Sequence, residues 1–556
     1  MLGDVRGLAS GSVLVTDVCV IGSGPAGMTV ALELERAGVQ VAVLESAGVE
    51  ADPEIDRLQE AEAGFHFGSV EQISGTRRVG GNANLWSVDL GHGRRGLRLV
   101  PFGTADLEVR PWMPGSGWPI TMRDLAPHYV RAQALFGLPD IGYEATPWER
   151  DGARRLPLDP AIVRSDVFQF ADRTVFSSDH LALLRRSETC TVYHHAHVVE
   201  LRTDSSGSRV TEARVATAVG REITVRAAVV VVAAAGLAST QLLLASDDVR
   251  RAGSARGNDA LGRYFMDHPL VDGGEFVPSD RAMFDHMDLY DLRTVHGVPV
   301  MGHLRISDEV LRGEPVPALS TMLFPRHRSH RESGPGSERD AVARRSAVAV
   351  RDALRGGRLP ALGDTWRAVT RLDAILDRSL HTGGRRSTYV GHGGWSQLRR
   401  KPRRFDFFRV LHQAEQPPHA ENRVGLGQER DAFGMRRLTI DWSWRESDAA
   451  GVRRAQELVA YGVRRAGLGE VRLPASVAPV VAGSSTNHYL GTTRMSRDPA
   501  QGVVDEVCRV HWLDNLYVAC TSVFPTGGFA NPTLTLVAIA ARIADTVRAL
   551  LESGTA

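Results

Sequence analysis

Lysine is almost missing from this chain: of 66 basic residues only Lys401 is a lysine. That bias reads as the codon usage of a G+C-rich genome and points to no partner. Cysteine is scarce too. Cys19, Cys190, Cys508 and Cys520 are scattered, two of them inside apolar strands. Their spacing fits neither a zinc site nor a disulfide framework, so a reducing cytoplasm is the expected compartment. Aromatic residues make up only 6% of the chain. No apolar run reaches the ~18 residues of a membrane span, and no signal peptide precedes Asp17. The net charge of +1 offers no global argument for nucleic acid or anionic membranes. There is no GxSxG elbow for a serine hydrolase and no evident cluster of metal ligands.

What is present is length and a soluble composition. At 556 residues, 43% hydrophobic and 24% charged, the chain exceeds one core and divides into at least two domains. Residues 1–16 read as a mobile leader. Asp17–Ile21 then reads as a buried parallel strand. It is followed by Gly22-Ser23-Gly24-Pro25-Ala26-Gly27, a helix to about Ala37, and a second strand, Val39–Leu44, ending in Glu45. In that context a GxGxxG run is a dinucleotide fingerprint. Gly22 permits the tight turn, Gly24 lets the backbone reach a pyrophosphate, Gly27 lets helix and sheet approach, and Glu45 suits a ribose hydroxyl. The motif alone does not separate FAD from NAD.

Further along, Gly80-Gly81-Asn82-Ala83-Asn84-Leu85-Trp86 offers backbone N–H groups that could cradle a phosphate or a ring edge. Thr121 is placed to cap a helix from about Arg123 to Phe136. A small meander of strands is expected at 190–193, 198–201, 210–217 and 222–225, then a second buried strand at 228–233 running into Ala234-Ala235-Gly236 and a helix from Ser239. A second region, 271–485, shows strands near 298–306, 405–413, 422–425 and 438–442 and a helix near 448–466. Within it, 326–404 is a basic insertion, with 329–337 expected to be mobile and helices near 338–356 and 363–380. It reads as a solvated insertion, a lid or an oligomer contact. Towards the end come His488, the strand 516–519, a Gly-containing loop, and Asn531-Pro532-Thr533 before a helix over 534–551. Asn531 suits an N-cap, Pro532 the first helical position, and the helix N-terminus a developing negative charge.

Taken in order, several motifs resemble the glucose–methanol–choline (GMC) family of flavin-dependent alcohol oxidoreductases. They are the N-terminal fingerprint, Arg78-Val79-Gly80-Gly81 with Asn84-Leu85-Trp86, Gly117-Trp118-Pro119, Ala234-Ala235-Gly236, Gly262 to Pro269, His488 with Gly491-Thr492 and Arg494-Met495, and Asn531-Pro532. The wording is similar to the branch containing pyranose oxidase and bacterial glycoside oxidases. The resemblance implies an α/β fold. A Rossmann-like FAD-binding domain would be built from discontinuous segments (1–136, 187–270 and 486–556). An α+β substrate domain with an antiparallel sheet would take 137–186 and 271–485. It implies FAD held by Gly22, Gly24, Pro25, Ala26, Gly27, Glu45, Gly80, Gly81, Asn84, Leu85, Val198, Ala235, Pro532 and Thr533. Leu85 stands where pyranose oxidase carries its covalent histidine, so FAD is expected to be non-covalent.

The resemblance also places a catalytic pair on His488 and Asn531. Oxidising an alcohol removes a hydroxyl proton and a carbon-bound hydride. Histidine suits the proton and a flavin the hydride. The expected role of His488 is base, or alkoxide stabiliser when protonated, and that of Asn531 is to hold the same oxygen. His268, in Asp267-His268-Pro269, is a rival that reads as structural or pocket-lining. The expected substrate is a sugar, glycoside or aminoglycoside-like molecule, with O2 or another acceptor taking the electrons. The alternatives are a sterol-like or aryl alcohol, or a flavin-bound lyase. An oligomer is possible.

Overall fold

The strand signals fall into three sheets in a computed structural model that describes residues 1–63, 75–255, 257–327, 393–479 and 486–554, with isolated positions between 346 and 363. In the first sheet Val13–Ile21 lies between Val41–Leu44 and Glu222–Val232, all parallel. Cys190–His194 and then Leu2–Asp4 extend it on one side, and Leu516–Val518 pairs with the end of Glu222–Val232. The central Val and Ile side chains are inaccessible on both faces, which is why these strands read as unbroken apolar runs. Helices Pro25–Arg36, Met122–Leu135 and Thr533–Glu552 pack against one another beside this sheet. Thr121 stands at the N-cap of the second of them, where its backbone N–H and hydroxyl both donate to Asp124.

Three expectations change here. Cys190–His194, read as the first strand of the meander, instead runs parallel between Val41–Leu44 and Leu2–Asp4. The leading segment is not a loose leader, because Leu2–Asp4 takes up the backbone groups along the edge of Cys190–His194. The strands read as 222–225 and 228–233 are one strand, Glu222–Val232. Its first half pairs with the half-exposed meander of Val210–Ala216 and His197–Thr203, and its second half is buried in the parallel sheet. The change from alternating to continuous apolar pattern marks a change of surroundings, not a break in the chain.

The second sheet is antiparallel. Its order is Gly469–Arg472, Leu270–Pro278, Phe407–Ala414, Leu319–Arg326, Val298–Ile306, Val163–Asp172, Arg94–Leu99, Val88–Gly91, with Arg293–Val295 beside Val298–Ile306. Helix Glu446–Arg465 packs on it. A third, small sheet joins Arg423–Arg430, Arg436–Asp441 and Ala61–Ala63. The hairpin Val88–Leu99, expected with the nucleotide-binding segments, belongs to the antiparallel sheet. We retain the two-domain division as a proposal with that hairpin reassigned. Most of the 326–404 insertion, including the segment expected to be mobile and the two expected helices, lies outside the described residues. Where it is described, Lys401 is buried, paired with Asp288 and set over the Trp395 ring at 5.8 Å.

Candidate active site

One cavity of about 620 Å³ runs from the glycine turn after Val13–Ile21 to His488 and Asn531. At the turn, Gly22 has φ +105°, and a Cβ there would lie 2.6 Å from the Ala233 carbonyl oxygen. At Gly27 a Cβ would lie 2.0 Å from the Gly22 carbonyl oxygen, so helix and strand meet without space for a side chain. Gly24 differs. The nearest atom to a Cβ there is the Gly81 Cα at 4.0 Å, so the open space is that of the cavity. Glu45 accepts from the Ser23 N–H and hydroxyl at 3.1 and 2.6 Å and from the Ser46 N–H at 2.8 Å. Ser46 in turn pairs with His197 Nδ1 at 3.0 Å.

These residues fit a dinucleotide. The cavity wall there holds buried polar atoms without a partner, Arg77 Nε, Gln59 Nε2 and His197 Nε2, as expected of surfaces that meet a polar ligand. Gly24 and Gly27 separate ligand from fold. With Gly24→Val we expect a folded protein, shown by an unchanged far-ultraviolet spectrum, that binds FAD at least about tenfold more weakly by fluorescence titration, a loss of about 1.4 kcal/mol. Gly27→Val should instead lower the thermal midpoint of the FAD-free protein.

At the other end of the cavity the geometry comes from a long-range pairing. Met266 and Leu490 exchange both backbone hydrogen bonds as an antiparallel bridge. Counting outward by two places His268 beside His488, with their Nδ1 atoms 2.9 Å apart. Asp267 ties the arrangement together, since its Oδ1 accepts from the N–H of His268, the N–H of His488 and the hydroxyl of Thr486. On the far side of His488, its Nε2 lies 3.4 Å from Asn531 Nδ2.

Asn531 is held from the antiparallel sheet. Arg98, on the Val88–Leu99 hairpin, donates its Nε–H to Asn531 Oδ1 at 2.8 Å, and Gln413 donates to the same oxygen at 3.2 Å. Arginine has only donors, so Oδ1 must face Arg98 and the NH₂ must face His488. The amide therefore does not cap the helix. The helix starts at Thr533 behind Pro532, with no side-chain cap, because the buried guanidinium makes a charge-assisted bond that outcompetes the cap. Arg98 also bonds Gln413 Oε1 and Met322 Sδ and stacks over Phe168 at 5.0 Å. No carboxylate pairs with it among the described residues, and burial pushes its pKa down to about 10.

Of the residues expected to hold a cofactor, Gly22, Gly24, Pro25, Ala26, Glu45, Gly81, Leu85, Val198, Ala235, Pro532 and Thr533 line the cavity together with His488 and Asn531. Gly27, Gly80 and Asn84 do not. Gly27 serves packing, Gly80 takes φ +89° in the turn, and Asn84 Nδ2 staples the loop to the Val79 and Gly81 carbonyls. Sequence reasoning missed Arg98, Gln413, Ser46, Arg77 and His197, which hold no fixed place in a spaced motif, and Ser23, which fills a variable position of the glycine fingerprint. It also found no ligand cluster, yet the fold brings Asp4, His194 and His195 together with ligand atoms within 4.8 Å. The Asp4 carboxylate there is taken up by Arg6.

Burial dominates the titration of this region. It holds His268, His488 and His197 below the ordinary imidazole range, and His303 and His412, on strands of the antiparallel sheet, at about 3. These rings are neutral when folded and free to charge when unfolded. A depressed folded pKa gives stability that is present above the unfolded value near 6.5 and lost as pH falls. Asp106, raised to about 7 by burial and by Glu415, works the other way, losing its contribution as pH rises from ~4 to about 7. Burial also lowers His180 and His195 and raises Asp288 and Asp291, so seven lowered rings outweigh three raised carboxyls. We expect the thermal midpoint to fall steadily below about pH 6.5 and to flatten above pH 7, as read by calorimetry across pH.

A nucleotide cradle, a helix N-terminus and a His–Asn pair on one cavity define the class: the chain is an FAD-dependent oxidoreductase acting on CH–OH groups, with FAD bound non-covalently. Residues 15–53 match the "FAD binding domain" family model and residues 418–540 the "GMC oxidoreductase" model, the latter including both His488 and Asn531. The fold and domain combination are those of the GMC superfamily. The chain is 35% identical over 136 residues to 6'''-hydroxyparomomycin C oxidase of Streptomyces lividus, a match spanning 24% of either chain. It is 25% identical to 2-methyl-1,2-propanediol dehydrogenase of Mycolicibacterium austroafricanum, over 95% of this chain and 94% of that one. The crystal structure of pyridoxine 4-oxidase from Mesorbium loti superposes with a TM-score of 0.50 at 17% identity, covering 96% of this chain and 99% of that one, and shows the fold alone. No helix among the described residues is long and apolar enough to cross a membrane.

Proposed function

We propose that the hydroxyl oxidised belongs to a sugar, glycoside or aminoglycoside-like molecule and that His488 is its base. The observation that carries the base is the convergence of His488 Nε2 and Asn531 Nδ2 at 3.4 Å on the cavity wall. A substrate oxygen between them donates its proton to the imidazole and accepts a hydrogen bond from the amide. Arg98 holds the amide with its NH₂ towards that oxygen and adds a positive charge that favours an alkoxide. Gln413 locks both, bonding Arg98, Asn531 and the Phe529 carbonyl. FAD, held at the glycine turn and Glu45, would supply the acceptor for the hydride of the carbinol carbon. A polar substrate suits a wall that offers Arg98, Thr486, His488 and Asn531, and the locally similar relative is named as a hydroxyparomomycin oxidase. O2 or another acceptor would take the electrons.

One observation favours a second reading. The relative aligned over nearly the whole chain is named for a small diol, so a non-sugar diol is the competing substrate. An anaerobic absorbance scan against sugars, glycosides, aminoglycosides and 1,2-diols separates the two. We expect bleaching of the flavin band by a glycoside or aminoglycoside. Bleaching by simple diols alone would overturn the sugar reading. Readmitting O2 then distinguishes oxidase from dehydrogenase by whether the colour returns at once.

A further inference from the structure

His268 makes no contact with the proposed substrate position, yet its surroundings decide the state of His488. Its Nε2 lies 3.0 and 2.9 Å from the carbonyl oxygens of Gly527 and Gly528. Carbonyls only accept, so Nε2 carries a hydrogen. In a neutral ring Nδ1 is then bare, and it faces His488 Nδ1 at 2.9 Å. His488 must donate there, which leaves its own Nε2 bare towards the cavity. The Asn531 amide agrees independently, because its NH₂ faces that same Nε2 and needs an acceptor. Were His268 doubly protonated, His488 would carry its hydrogen on Nε2, against the amide hydrogens.

We propose that His268 and His488 work as one proton-accepting pair. As the substrate O–H bond breaks, its proton bonds to His488 Nε2. The His488 Nδ1–H bond breaks in turn, and that proton bonds to His268 Nδ1. The pair gains one proton, and the two electrons leave with the carbon-bound hydrogen to the bound FAD. His268 is the better resting place. Two backbone carbonyls hold its Nε2–H, the Asp267 carboxylate accepts from its backbone N–H, and the buried Glu415 carboxylate binds the Gly528 N–H. Asp106, beneath Gly528, and Arg110, paired with Glu415, complete the charged groups on that side. On the other side of His488 stands the Arg98 guanidinium, whose charge discourages a proton there. Asp267 and Glu415 favour charge on His268, while His268 and Arg98 disfavour it on His488.

The inference rests on His488 being the base, and its test is built to fail separately. His268→Gln keeps an acceptor for His488 Nδ1–H and a donor for the carbonyls but holds no extra proton. Two measurements are needed: nitrogen-15 NMR of the histidine rings in the purified full chain, and rapid-mixing flavin reduction across pH. We expect His268 as the Nε2–H tautomer and His488 as the Nδ1–H tautomer. In His268→Gln the limiting reduction rate should fall by about 10–100-fold, part of the ~10²–10⁴ that general base catalysis supplies. Its acidic limb should move down by about one pH unit, because a second proton site is gone, with substrate affinity little changed. His268→Leu, which also removes the acceptor, should be slower still. A His488 ring with its hydrogen on Nε2, or a His268→Gln pH profile that superimposes on that of the unaltered enzyme while His488→Ala is inactive, would overturn the pair. Full turnover by His488→Ala would instead remove the reading beneath it.

Discussion

His488→Ala is expected to slow anaerobic flavin reduction by about 10²–10⁴-fold while FAD stays bound. The buried polar atoms left without a partner that would meet FAD, on Gln59, Arg77 and His197, lie by Glu45 and the glycine turn, and none of these residues is hydrogen-bonded to His488. The loss should therefore appear in the rate of reduction and not in the flavin spectrum. His488→Gln makes the comparison sharper. It preserves volume and a hydrogen bond to the substrate oxygen but offers no basic nitrogen, so it should be nearly as slow as alanine. Asn531→Asp should also be slow for an electrostatic reason, since a carboxylate there would pair with Arg98 and remove the cation's influence on the alkoxide. A full-rate His488→Ala protein would refute the assignment of the base.

Arg110→Met is expected to cost about 3–5 kcal/mol of stability, read as a lower denaturant midpoint, because it strands a buried charge. Arg110 and Glu415 are inaccessible and meet in a two-point pair, with both contacts at 2.6 Å. Glu415 also accepts from the N–H groups of Ala318 and Gly528 at 3.0 Å each. It thus joins the antiparallel sheet to the Gly527-Gly528 turn, whose carbonyls hold His268. Removing the cation leaves the carboxylate without its partner beside Asp106, which burial and Glu415 already hold at about 7. The double change Arg110→Met with Glu415→Leu should recover much of the stability, since an apolar replacement of both partners leaves no buried charge. It should recover little activity, because Gly528 would lose the acceptor for its N–H.

Local order made much of this legible. Gly22, Gly24 and Gly27 each do a separate job at a fixed spacing, and the helix and strand around them follow from apolar periodicity. Asn531 was recognisable by its place before Pro532 and a long helix, and His488 by its place in a motif. The local rule that marked Asn531 as a cap nevertheless named the wrong partner. Its side-chain oxygen turns away from the helix to a guanidinium that arrives from strand Arg94–Leu99. Asn84, chosen for its place in a glycine-rich loop, bonds that loop to itself and does not reach the cavity.

The sequence by itself determined the nucleotide cradle and the central parallel strands Val13–Ile21 and Val41–Leu44. Both depend on short-range spacing, backbone freedom at glycine and the apolar period of strands and helices, whereas His488 and Asn531 were singled out by the family resemblance of their motifs. Tertiary structure alone decided the surroundings that turn those residues into chemistry. The Met266–Leu490 bridge sets His268 against His488, and the antiparallel sheet carries Arg98 and Gln413 to Asn531. Such contacts join residues from 118 to 433 positions apart. Their identity depends on the register of pairing and on which donors and acceptors burial leaves facing one another, and neither has a signature in local sequence.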